Sequence, residues 1–142
     1  MKTVLTLVLV LFVNTGLNQK PEGWEIFDKV IFKPKYFEEV GAYFEVPTFN
    51  KELLALENSE VILSGYYIPL DFDSMFMLSA LPFSSCFFCG GAGPESIAEI
   101  QFKEFPKQLE PDEFVKIKGL LKLNELDIDH MNFILQEAKL IK

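Results

Sequence analysis

Cys86 and Cys89 are the only cysteines of the chain, set as Cys-x-x-Cys inside SSCFFCGGAGPES, residues 84–96. Two phenylalanines separate them, and three glycines and a proline follow. Three chemistries suit that spacing. A disulfide here would act as a structural staple, but the ring it closes is so short that it restrains the unfolded chain little. A redox pair needs a thiolate stabilised by a helix N-terminus or nearby cations. No lysine lies between Asp71 and Gln101, so only backbone amides could supply that field. A soft metal, zinc or copper, would take both sulfurs and needs further donors to close a tetrahedral shell. The single histidine, His130, lies far downstream, and Glu95 with Asp71 or Asp73 is the nearest source of carboxylate oxygen. One Cys-x-x-Cys is a weaker metal signal than two.

The glycines after Cys89 invite a second reading, as a cradle for phosphate. No lysine of the P-loop kind follows them, and the order Gly-Gly-Ala-Gly does not keep the dinucleotide spacing. They are expected instead to allow a tight turn packed on Phe87 and Phe88. Catalysis has little to build on. No serine stands in a nucleophile-elbow pattern, and a Ser-His-Asp set would have to recruit His130 from a segment with no other catalytic mark. Asp71 and Asp73 flank Phe72 after Pro69-Leu70 and are expected in a solvated turn, so no catalytic residue is assigned.

Charge narrows the partners. The chain carries a formal net charge of −8, with 13 basic residues against 21 acidic ones, and every basic residue is lysine. Nucleic acid and anionic membrane surfaces call for a basic face, and phosphate or guanine recognition favours the arginine fork. Neither is expected as a partner; a small ligand, a metal or an envelope protein is.

The beginning of the chain sets the expected compartment. Lys2 precedes an apolar run from Val4 to Val13, then small and polar residues, which predicts a secretory signal peptide over residues 1–19. The run is about half of the ~20 apolar residues that span a bilayer, so no integral membrane span is expected in the mature chain. Periplasmic or secreted residence follows, and the two thiols would then meet an oxidising compartment. Residues 20–142 are long enough for one domain, and 15 phenylalanines mark an ordered core.

Around the cysteine loop the pattern is mainly β. Ala42, Phe44 and Val46 alternate with Tyr43 and Glu45, a strand that Pro47 is expected to close. Asn50 is placed to cap a helix of about two turns whose Leu53, Leu54 and Leu56 face inward. EVILSGYYIPL (60–70) and EFVKIKGLLKL (113–123) superpose so that Val61, Leu63, Gly65 and Tyr67 match Val115, Ile117, Gly119 and Leu121. A glycine in mid-strand weakens it unless the strand bulges or turns a corner, which is how a small sheet curls into a barrel. SMFMLSALPF (74–83) reads as a buried strand, and in SIAEIQFKEF (96–105) Ile97 and Ile100 are out of phase by one, suggesting a bulge or helical turn. The C-terminal HMNFILQEAKLIK fits a strand through Phe133, Leu135 and Ile141 or a helix through Ile134, Ala138 and Ile141. A small barrel needs about five strands, which favours the strand. The predicted fold is therefore a small, partly closed barrel of about five strands with one or two short helices.

The stretch from Ser64 to Phe102, SGYYIPLDFDSMFMLSALPFSSCFFCGGAGPESIAEIQF, followed by VKIKGLLKLN, resembles a family of exported bacterial proteins of the Bacteroidetes type. Its members share a Gly-Tyr-x-Ile-Pro-Leu strand, the Cys-Phe-Phe-Cys-Gly-Gly-Ala-Gly-Pro-Glu-Ser loop and a later Val-x-Gly-x-Leu strand. The resemblance covers roughly residues 57–142. It implies periplasmic residence and the strand order of an oligonucleotide/oligosaccharide-binding (OB) barrel, and it brings no activity. Residues 20–56 match only loosely and leave their role open. The expected function is a non-catalytic binding or interaction module working through the loop from Ser84 to Ser96, with a thiol-redox or metal-transfer factor as the alternative. Candidate metal ligands are Cys86 and Cys89, then Glu95 and His130.

Overall fold

A computed structural model describes residues 21–70 and 75–141; the expected leader and the Asp71/Asp73 pair lie outside the described residues. Seven strands carry the fold: β1 (Ile31–Phe37), β2 (Ala42–Thr48), β3 (Glu60–Pro69), β4 (Phe76–Ser79), β5 (Ile97–Phe102), β6 (Phe114–Leu123) and β7 (Phe133–Ile141). Among the described residues one α-helix, α1 (Lys51–Leu54), and four single 3-10 turns complete it. β1 and β2 form a separate two-stranded ribbon, while the remaining five close in the order β3-β4-β5-β7-β6, with β6 pairing back onto β3. Among the described strands only β5 and β7 run parallel. That order, with its single parallel pair, is that of an OB barrel. The barrel is closed rather than partly closed among the described strands.

The paired glycines do what a corner requires. In the β3–β6 register Val61 stands opposite Gly119, and Gly65 opposite Val115, so each glycine faces a β-branched partner. A β-carbon on Gly65 would fall inside the contact shell of the Ser79 carbonyl oxygen and 3.0 Å from its carbon. The backbones of β3 and β4 approach that closely because β3 changes partner there: Glu60–Tyr66 pair with β6 and Tyr66–Pro69 with β4. Gly119 sits where the β6–β7 register shifts, between Lys118 and Leu120. The inward set Leu63, Tyr67, Val115, Ile117 and Leu121 is buried in one core cluster, with Val61 packed against it, as the alternation predicts.

β7 explains why its sequence reads two ways. Two residues of β6 and two of β5 each span three of β7, so the extra residue belongs to β7, and Glu137 takes the left-handed conformation at φ 49°. The bulge lets Leu135 and Ala138, three apart, both enter the core, which mimics helical spacing inside a strand. In β5 the expected phase break between Ile97 and Ile100 is absent. Ile100 faces the barrel interior, whereas Ile97 joins a second cluster with Ile68 and Met77, so this strand is covered on both faces.

Residues 21–56 provide the seal that the barrel strands lack. β4 leaves the first half of β3 with a free edge, and there Ser64 N–H donates to the Glu22 carbonyl while Trp24 Nε1 donates to the Ser64 carbonyl at 2.9 Å. Trp24, Phe27 and Leu53 all belong to the main core, and Phe27 stacks on Phe133 with ring centroids 4.0 Å apart. This segment therefore closes the end of the barrel where β6 passes into β7. Asn50 caps α1 as expected, its Oδ1 accepting from Leu53 N–H at 2.8 Å. The helix is one turn rather than two, and Leu54 is exposed. Nor does Pro47 end β2; the strand continues to Thr48, with Pro47 opposite Phe32.

Candidate functional site

The loop between β4 and β5 is built from backbone turns. Phe83–Ser85, Phe87–Cys89 and Pro94–Ser96 each make one 3-10 turn, and the Cys86 carbonyl accepts from both Cys89 N–H (3.1 Å) and Gly91 N–H (3.2 Å). Gly90 ends the middle turn in the left-handed conformation, φ 74°. At the near end Phe83 N–H donates to Asp112 Oδ1 at 2.8 Å, tying the loop to the chain just before β6. At the far end Ser96 Oγ donates to the Gly93 carbonyl at 2.7 Å. Between these anchors the two phenylalanines split their roles: Phe87 packs on the Ile68, Met77 and Ile97 cluster, and Phe88 is exposed.

The cysteines split in the same way. Cys86 is buried and Cys89 exposed, and both are free thiols. The surroundings of the loop first, and the neighbouring Cys86 thiol second, push the Cys89 thiol above its ordinary range. That is opposite to the shift that activates a redox cysteine. Among the described residues no three His, Cys, Asp or Glu side chains are grouped as a metal shell. The sulfurs thus offer half of a tetrahedral zinc site and would need outside donors to complete it, while copper(I), the softer ion, suits sulfur better. Glu95 lies inside the last 3-10 turn, its carboxylate folded over Gly93.

His130 is committed elsewhere. Its Nδ1 lies 2.9 and 3.0 Å from the two carboxylate oxygens of Glu99, a buried residue of β5. Met131 N–H (3.1 Å) and Gln101 Nε2 (2.9 Å) donate to the same carboxylate, and Gln136 Nε2 donates to Gln101 Oε1 at 3.0 Å. With two other donors converging there, Nδ1 is assigned as the third donor, which fixes the orientation of the ring and leaves its Nε2 edge toward the concavities. Asn124 makes this possible by folding the β6–β7 loop over itself. Its Nδ2 reaches the carbonyls of Asp127, His130 and Met131, and its Oδ1 accepts from Asp127 N–H at 2.9 Å.

These loops enclose a groove of about 410 Å³. One wall is the β1–β2 ribbon with Phe37, Tyr43 and Phe44; another is the cysteine loop through Phe87 and Pro94; the third is the β6–β7 loop from Glu125 to Asn132. His130 lines the groove and also a second concavity, of about 310 Å³, formed with Met75, Glu99, Gln101 and Phe105 on the outer face of β4 and β5. The sequence pointed to the cysteine loop and to His130 but missed Glu99, Gln101 and Asn124. A lone carboxylate inside the apolar SIAEIQF strand was the available signal for Glu99, since a buried charge needs partners. Comparison with protein-family models, curated proteins and solved structures gives no match.

Proposed function

We propose that the protein is an exported, non-catalytic binding module whose ligand lies in the groove between the β1–β2 ribbon, Phe87 of the cysteine loop and the β6–β7 loop. The observation that carries this reading is the convergence of three independent chain segments on one apolar-walled concavity of about 410 Å³. Its size falls within the range of small-molecule sites, and His130 and Asp127 among its polar groups sit on the β6–β7 loop, held by part-buried hydrogen bonds. Export rests on the leader and places the two thiols in an oxidising compartment.

The test is a ligand survey on ¹⁵N-labelled mature protein, followed amide by amide. Binders whose shifts cluster on Phe37, Phe44, Phe87 and His130 support the reading. A survey whose binders all map elsewhere, for example to Lys103 and Lys139, overturns it. Intact mass of protein recovered from the cell envelope or medium tests export, which predicts loss of about nineteen residues.

A second reading is favoured by one feature: an exposed free Cys89 three residues after a buried free Cys86. That is a layout in which an outer thiol meets a partner's disulfide and an inner thiol resolves the mixed disulfide, two electrons passing to the partner. Reversible loss of two hydrogens in intact mass under a defined dithiol/disulfide buffer supports it. Inertness to both oxidant and reductant removes it.

A further inference from the structure

We infer that the groove takes a cationic group on an apolar stem, specifically a lysine side chain presented by a peptide. This rests on the proposed binding reading and names the class of its ligand. The groove walls are aromatic, from Phe37, Tyr43, Phe44 and Phe87, and its charged lining residues are Glu45, Glu125 and Asp127, with no lysine among them. A shallower concavity adjoins it across Phe37, Leu126, Asp127 and Ile128 and adds Glu38, Glu39 and Lys35. The two together present five carboxylates against one lysine. Lys33 stands opposite Val46 in the ribbon and lines neither.

The ribbon's Tyr36, Tyr43 and Phe44 are exposed in a way that packing does not require. Tyr43 is 71% exposed and pairs across the ribbon with Tyr36, which is also exposed, their centroids 5.1 Å apart. Ring faces attract cations through their quadrupole, and the ribbon already does this to itself: Lys35 Nζ lies 5.4 Å from the Phe37 centroid. Neither Glu45 nor Glu125 forms an ion pair or side-chain hydrogen bond among the described residues, so both carboxylates face water. A lysine combines what this lining selects, a methylene stem that packs on rings and an ammonium that reaches carboxylates. An anionic ligand would meet the carboxylates and be repelled.

The experiment titrates mature protein at low salt with the capped peptide Ala-Leu-Lys-Leu-Ala, its ε-acetyl-lysine form and its glutamate form, reading amide shifts and heat. The lysine peptide is expected to shift Phe37, Tyr43, Leu126 and Asp127, with the other two at least about tenfold weaker. Its affinity should fall as salt screens the exposed charges. Glu45→Gln with Glu125→Gln should weaken it about five- to tenfold, and Tyr43→Ala about two- to fivefold, the ranges of exposed ion pairs and cation–π contacts. Equal binding of all three peptides at these residues overturns cation recognition while leaving the groove a binding site. No binding of any of them there overturns this inference, and the ligand survey then decides the groove by itself. Concentration-dependent self-association lost in the Glu45→Gln/Glu125→Gln variant would make a second copy the occupant, through its Lys103, Lys107 and Lys139 surface, and overturn the peptide assignment.

Discussion

Glu99 and His130, thirty-one residues apart in sequence, meet across the outer face of β5 with Nδ1 2.9 Å from one carboxylate oxygen and 3.0 Å from the other. The contact is asymmetric in exposure: the Glu99 side chain is 4% exposed and that of His130 41%. A buried carboxylate thus orients a half-exposed imidazole at the junction of two concavities.

Glu99→Ala should cost about 2 kcal/mol, because it leaves Met131 N–H and Gln101 Nε2 without their acceptor in a partly buried setting. His130→Ala should cost less, since its ring is half solvated and the carboxylate keeps two donors. Urea unfolding of both variants checks the order. Amide exchange should also rise across residues 124–132 in the Glu99 variant and not in β1 or β2.

The thiols should react unequally. Alkylation of native protein at neutral pH is expected to modify Cys89 alone, and slowly, with both sites modified only after unfolding. Because the Cys89 pKa is raised, its thiolate fraction lags an ordinary thiol as pH climbs, so the rate should still be rising with pH where a free cysteine has levelled off. Cys86→Ala removes the neighbouring thiol and should speed the reaction at a given pH. Mass spectrometry of timed quenches measures all of this, and rapid native modification of Cys86 would contradict it.

Gly65→Ala should destabilise more than Gly119→Ala. The new methyl at 65 drives into the Ser79 backbone, which belongs to the β3–β4 pairing and cannot move alone. At 119 the nearest atoms lie 3.0 Å (Gln136 carbonyl oxygen) and 3.1 Å (Leu135 Cβ) away, beside a register shift that can widen. Losses of about 3 and about 1 kcal/mol span the range seen for overpacking. Equal midpoints in denaturant would mean that β3 does not turn its corner at Gly65.

Phe27→Ala should cost about 3–5 kcal/mol, the range for a fully buried aromatic, because it empties the stack over Phe133 at the sealed end of the barrel. That is a large share of a small domain's typical ~5–15 kcal/mol. Phe27→Leu, which keeps most of the volume, should recover much of the loss. Thermal and urea transitions of the two variants separate a packed seal from a loosely attached arm.

The alternation of Val61, Leu63 and Tyr67, and of Val115, Ile117 and Leu121, was legible because a strand buried on one face repeats every two residues. The same rule failed in β5 and β7 for a physical cause. A strand covered on both sides, as at Ile97 and Ile100, loses its alternation, and the bulge at Glu137 shifts phase so that Leu135 and Ala138 both face inward. Of the site, Cys86, Cys89 and His130 stood out by residue type, yet type alone grouped them as ligands of one metal. The partner of His130, Glu99, comes from a segment distant in sequence.

Local pattern, then, determined the β-rich class, the glycine corners, the Asn50 cap and the acidic, arginine-free surface, since each depends on near neighbours or on composition. Closure of the barrel, the sealing of its end by Trp24 and Phe27, the pairing of His130 with Glu99 and the groove beside the aromatic ribbon were decided only in three dimensions. Each is a contact between residues far apart along the chain, made when apolar faces leave water together, and no local periodicity encodes which distant face will be met.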